Sequence, residues 1–101
     1  MADTVQLGDK ISLSGFSQED GATMIVVRKM VGNHVKKLME DVPNFQNIQI
    51  TLKKVHAHPD GTGGRNEIHV KLSADKVTAT EVTDFNLFVG LDKALKKIAA
   101  A

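Results

Sequence analysis

Three of the chain's four histidines, His56, His58 and His69, fall in the segment VHAHPDGTGGRNEIHV at residues 55–70, around a loop that holds three of its eight glycines. Three imidazoles suit a zinc centre with one position left open, and glycine-rich loops cradle phosphates when they feed a helix N-terminus. Both chemistries depend on the flanking elements. Ile48, Ile50 and Leu52 alternate with Gln49, Thr51 and Lys53 before the loop, and Ile68, Val70 and Leu72 alternate with Glu67, His69 and Lys71 after it. That period of two reads as two strands joined by a hairpin.

His56 and His58 are two residues apart and share a side of their strand, while His69 lies across the hairpin. After Leu52 the apolar positions shift parity to Val55 and Ala57, which implies a bulge near Lys53 and Lys54 or the end of the buried segment. The facing of His56 and His58 stays open. His69 shares its face with Lys71, whose charge opposes a metal, and no cysteine adds a ligand. The phosphate reading fails sooner, because GTGGR leads into a strand and no Walker lysine follows. Polar histidines at a solvated hairpin are expected, with Pro59, Asp60 and Gly61 making the turn, and with no metal and no cofactor. Arg65, at the tip, is free to touch a partner.

The elements that hold this hairpin are legible from periodicity. KISLSGF, residues 10–16, alternates as a first strand, and SQED, residues 17–20, reads as a capping box that opens a helix running to about Glu40. Met24, Val27, Val31, Val35 and Leu38 fall on one face of that helix, with Lys29, Asn33, Lys36 and Glu40 opposite. Gly32 in mid-helix marks either close packing on a sheet or a tolerated weak point. Val77 and Ala79 alternate with Thr78 and Thr80 as a fourth strand after the turn SADK. Thr83 or Asp84 is expected to cap a last helix whose stripe is Phe88, Leu91, Leu95 and Ile98, while Asn86, Gly90, Lys93 and Lys97 point away. The expected fold is α+β: a two-layer β-α-β-β-β-α sandwich, one four-stranded, mainly antiparallel sheet with two helices on one face, like that of double-stranded RNA-binding domains. It forms a single domain over residues 1–101, in which residues 1–9 are an N-terminal extension.

Composition narrows the function. Four phenylalanines are the only aromatics, so the core must be mainly aliphatic. The longest apolar run, MIVV, is too short to cross a bilayer, and MADTVQLGDK has no signal-peptide pattern, so a cytoplasmic protein is expected. There is no thiol and no Gly-x-Ser-x-Gly elbow, and the acids gather at caps and turns, so no enzyme and no small-molecule substrate are expected. Net charge is only +1, yet the bases recur on outward helix faces and strand edges. Lys29, Lys36, Lys37, Lys53, Lys54, Lys93, Lys96 and Lys97 are the candidate RNA-binding residues.

The stretch KKLMEDVPNFQNIQITLKKVH, residues 36–56, resembles the helix end, loop and second strand of the ribosome hibernation-promoting factors, also called ribosome-associated inhibitor A or S30EA proteins. EIHVKL, KVTATEV and NLFVGLDKAL resemble that family's third strand, fourth strand and last helix, so the likeness spans residues 10 to 98. Asn86, Phe88 and Gly90 depart from the family's Asp-x-Tyr-x-Ala-Ile-Asp signature, Leu91 and Asp92 retain its end, and the basic tail of several members is missing. The resemblance implies a factor that binds the small ribosomal subunit in its mRNA and tRNA channel and keeps idle ribosomes from translating. In the family pattern Lys37 and Lys53 match basic positions. A general RNA-binding module and a non-RNA protein-interaction domain are the alternatives.

Overall fold

The computed structural model describes residues 4–17, 19–55 and 64–100. Their order is β1 (Thr4–Gln6), β2 (Ile11–Ser14), α1 (Gly21–Asp41), β3 (Asn47–Val55), β4 (Arg65–Ser73), β5 (Val77–Asp84) and α2 (Leu87–Ala100). The strands form one sheet in the order β1-β2-β3-β4-β5. The β2–β3 pair is parallel because α1 carries the chain back across the sheet, and every other neighbouring pair is antiparallel. The α+β class is as expected, with one strand more: β1 lies in the stretch taken for an extension and pairs Thr4–Gln6 with Ser12–Ser14.

Register builds the core. Leu13 pairs with Ile50, Ile50 with Val70, Ile48 with Leu72, and Leu52 with Ile68, so the apolar side chains share one face of the sheet. All seven are buried, in one cluster with Val27, Val31, Val35 and Leu38 of α1 and Leu91, Ala94, Leu95 and Ile98 of α2. Thr80 on β5 donates its hydroxyl to the Ala94 carbonyl at 3.3 Å and ties α2 to the sheet edge. The opposite face carries Ser12, Ser14, Gln49, Thr51, Lys53, Glu67, His69, Lys71 and Glu81, uncovered by any described element.

Several local expectations change. Helix α1 starts at Gly21, three residues later than a Ser17 N-cap would start it, and its N-cap is Asp20, which accepts from the Thr23 N–H at 2.7 Å. The buried Phe16 anchors the preceding chain, and a turn from Glu19 N–H to the Phe16 carbonyl comes before the helix. The α2 cap is Asn86, not Thr83 or Asp84: its side-chain oxygen accepts from the Phe88 and Val89 N–H groups at 2.9 and 3.1 Å. Strand β5 therefore runs on to Asp84. No bulge interrupts β3, whose register with β4 is continuous through Lys53, Lys54 and Val55; the parity shift marks the end of the buried segment. Gly90 does not point away, because it is buried against β4 and β5, where a Cβ would come 2.7 Å from Ile68 Cδ1. Residues 56–63, with His56, His58, Pro59, Asp60 and Gly61, lie outside the described residues.

Two glycines separate strain from entropy. Gly15 has φ +83°, and a Cβ there would stand 2.0 Å from the Leu52 carbonyl oxygen, whereas Gly32 is exposed on α1 with open space around it. Gly32→Ala is expected to raise unfolding stability by about 0.5–1 kcal/mol through helix propensity. Gly15→Ala is expected to lower it by about 1–3 kcal/mol. Urea unfolding of the two variants checks the pair, and equal shifts would contradict the assigned environments.

Candidate nucleic-acid interface

The stripe of α1 and the stripe of α2 meet the same sheet face, which leaves their other sides to form an outer layer. The helices run in the same direction: His34 meets Asp92, and further along both helices Lys37 and Asp41 line one groove with Lys96 and Ala99. The groove encloses about 620 Å³ and opens to solvent. Lys29, Lys36, Lys37, Lys93, Lys96 and Lys97 are all exposed on this layer. Ile25, Val26 and Val89 are exposed nearer the helix starts, ahead of these lysines.

Ion pairs sort these lysines. Lys93 Nζ lies 3.2 Å from Asp84 Oδ2, and Lys96 Nζ lies 2.9 Å from Asp92 Oδ2. Lys29, Lys36, Lys37 and Lys97 form no ion pair with a described residue, although Glu40 and Asp41 stand one turn beyond Lys36 and Lys37. Lys97 occupies the last turn of α2, where the partial negative charge of the helix end favours a cation.

Lys53 and Lys54 do not join that group. Lys53 points to the open sheet face, opposite the helices, because it alternates with Leu52. Lys54 is on the helix side but lies 2.7 Å from Glu19 Oε1, a buried oxygen for which it is the ion partner. Arg65 begins β4 and its guanidinium sits over the Phe85 ring, 5.1 Å from the centroid.

Two features were not found by sequence reasoning. His34 bridges the helices, with Nε2 3.0 Å from Asp92 Oδ1, and only the packing of α1 beside α2 brings together residues 58 positions apart. On the open face, His69 meets two carboxylates: its Nε2 is 3.3 Å from Glu67 Oε1 and 3.9 Å from Glu81 Oε1. The Glu67-x-His69 spacing is a signal available in the sequence; Glu81 enters only through strand register.

Three carboxyls are held below their ordinary range. The Thr23 backbone and side chain do this to Asp20; the Asn86 N–H, then Lys93, do it to Asp84; Lys96, then His34, do it to Asp92. Compared with known proteins, the chain matches no protein-family model and no curated protein.

A carboxyl with a depressed folded-state pKa stabilises the fold above its unfolded value, about 3.9, and this contribution fades as pH falls through the lower folded value. Asp84→Asn is therefore expected to unfold at lower urea than the parent at pH 7, with the gap narrowing below about pH 4. Urea midpoints at pH 7 and pH 3 measure it, and a gap that widens in acid would contradict the assignment.

Proposed function

We propose that this protein is a ribosome-associated translation inhibitor of the hibernation-factor type, which binds RNA of the small ribosomal subunit through its helix layer and obstructs the mRNA and tRNA channel. The observation that carries the reading is the set of exposed lysines on two parallel helices, four of them, Lys29, Lys36, Lys37 and Lys97, without an ion partner among the described residues. A cation already neutralised by a neighbouring carboxylate gains less from a phosphate than one facing solvent alone, so these four are the contact residues, and Lys93 and Lys96 shape the surface. The resemblance of residues 10 to 98 to the S30EA proteins supplies the partner. The protein acts by binding and by occupying space, in the cytoplasm; no described helix is long and apolar enough to cross a membrane.

The rival reading, docking of a protein on the open sheet face, meets a surface mainly of Ser, Thr, Gln, Lys, Glu and His side chains, with the exposed Val77 and Ala79 confined to its β5 edge. Interface hot spots centre on buried aromatic and arginine anchors, and the only arginine on this face, Arg65, is stacked on Phe85. RNA phosphates fit the helix layer better.

Sucrose-gradient co-sedimentation with purified ribosomal subunits across a salt series tests the proposal. About four phosphate contacts give a log–log slope near −4 by the duplex rule. Lys36→Gln/Lys37→Gln/Lys97→Gln is expected to weaken binding, flatten that slope by about 3, and lower the melting temperature only slightly. Equal binding by the variant would remove the helix layer from the interface, and absence of wild-type binding at low salt would end the ribosome reading. Equal affinity for free duplex RNA and for subunits would favour a general RNA-binding module.

A further inference from the structure

We propose that the open face of the sheet carries a divalent transition-metal site formed by Glu67, His69 and Glu81, suited to zinc. The backbone sets the site before any rotamer is chosen: Glu67 and His69 are two apart on β4 and share a face, and Glu81 on β5 stands directly opposite His69. The donor atoms converge as well. Nε2 of His69 is 3.3 Å from Glu67 Oε1 and 3.9 Å from Glu81 Oε1, and the three ligand atoms all lie within 4.8 Å of one another. Donors held roughly 2.1 Å from a zinc ion stand about 3.4 Å apart in a tetrahedron, so small side-chain adjustments bring these three around one ion. One imidazole and two carboxylates match the borderline character of zinc, and the solvent side leaves a fourth position for water.

Lys53 faces Glu67 directly across the β3–β4 ladder and Lys71 shares the sheet face, yet neither pairs with Glu67 or Glu81; both carboxylates turn to the one imidazole. Glu67 is only 25% exposed, which restricts its carboxylate to this side of the strand. A bound ion would neutralise the two acids and cross-link β4 to β5. The site is on the face opposite the helix layer, so it stands or falls apart from the ribosome reading.

The full chain without an affinity tag, titrated with zinc chloride at neutral pH by calorimetry and in parallel with cobalt followed by visible absorption, tests this. One ion per chain is expected, and zinc is expected to raise the melting temperature. Glu67→Gln, His69→Gln and Glu81→Gln should each weaken binding by about tenfold or more. The variants keep side-chain size on a solvent face, and circular dichroism verifies that they fold. The double variant His56→Gln/His58→Gln should bind as the parent does. Unchanged affinity in His69→Gln, loss of binding in the His56/His58 variant, or no zinc binding by the parent would each overturn the proposal.

Discussion

Strand β3 is the middle of the sheet, and its Ile48, Ile50 and Leu52 are enclosed from every direction. Leu13 of β2 lies beside Ile50 in parallel register, Leu72, Val70 and Ile68 of β4 stand opposite in antiparallel register, and the helix stripes close over them. Full burial of one such side chain contributes about 1.5–3 kcal/mol, and with few aromatics the chain must reach its stability through many aliphatic contacts of this size. Both helices close over that one covered face. Their parallel course follows from the connections: α1 returns the chain so that β3 can run alongside β2, and α2 starts at the far end of β5.

Covering one face divides the rest of the molecule. The outer side of the helices receives most of the lysines that periodicity had placed opposite the apolar stripes, whereas the uncovered sheet face receives the alternating polar residues of the strands, with both signs of charge. The two surfaces therefore have different electrostatic character although the net charge is only +1. The helix layer carries a local excess of cations, partly compensated by Asp84 and Asp92, while the open sheet face is mixed, so the electrostatic potential of a nearly neutral protein differs between its two sides.

Charge compensation further separates residues that hold the fold from residues available to a partner. Asp84 links the end of β5 to α2 through the Asn86 N–H and Lys93, and Asp92 links α2 to α1 through His34 while engaging Lys96. Lys54 and Glu19 tie the end of β3 to the entry of α1. These lysines are engaged within the fold. Lys29, Lys36, Lys37 and Lys97 have no such engagement with a described residue, and their substitution touches the surface without touching the frame.

The sequence by itself determined the elements whose signal is local and repetitive. The period of two in residues 47–52 and 67–72 and the stripes of Val27, Val31, Val35, Leu38 and Leu91, Leu95, Ile98 mark buried faces, because a strand or helix with one buried side must repeat its apolar residues at its own period. Only the tertiary structure decided what depends on chain segments far apart in sequence. Strand β1 is three residues long, too short for periodicity, and exists through its pairing with β2. Asn86 takes the cap because β5 continues to Asp84 along β4, and Gly90 is buried because α2 approaches Ile68. Lys53 and Lys54 part to opposite faces once the register is continuous. His69 meets Glu81 across the β4–β5 ladder, and His34 meets Asp92 across the helix pair, because pairing partners are set by register and packing, which no local period encodes.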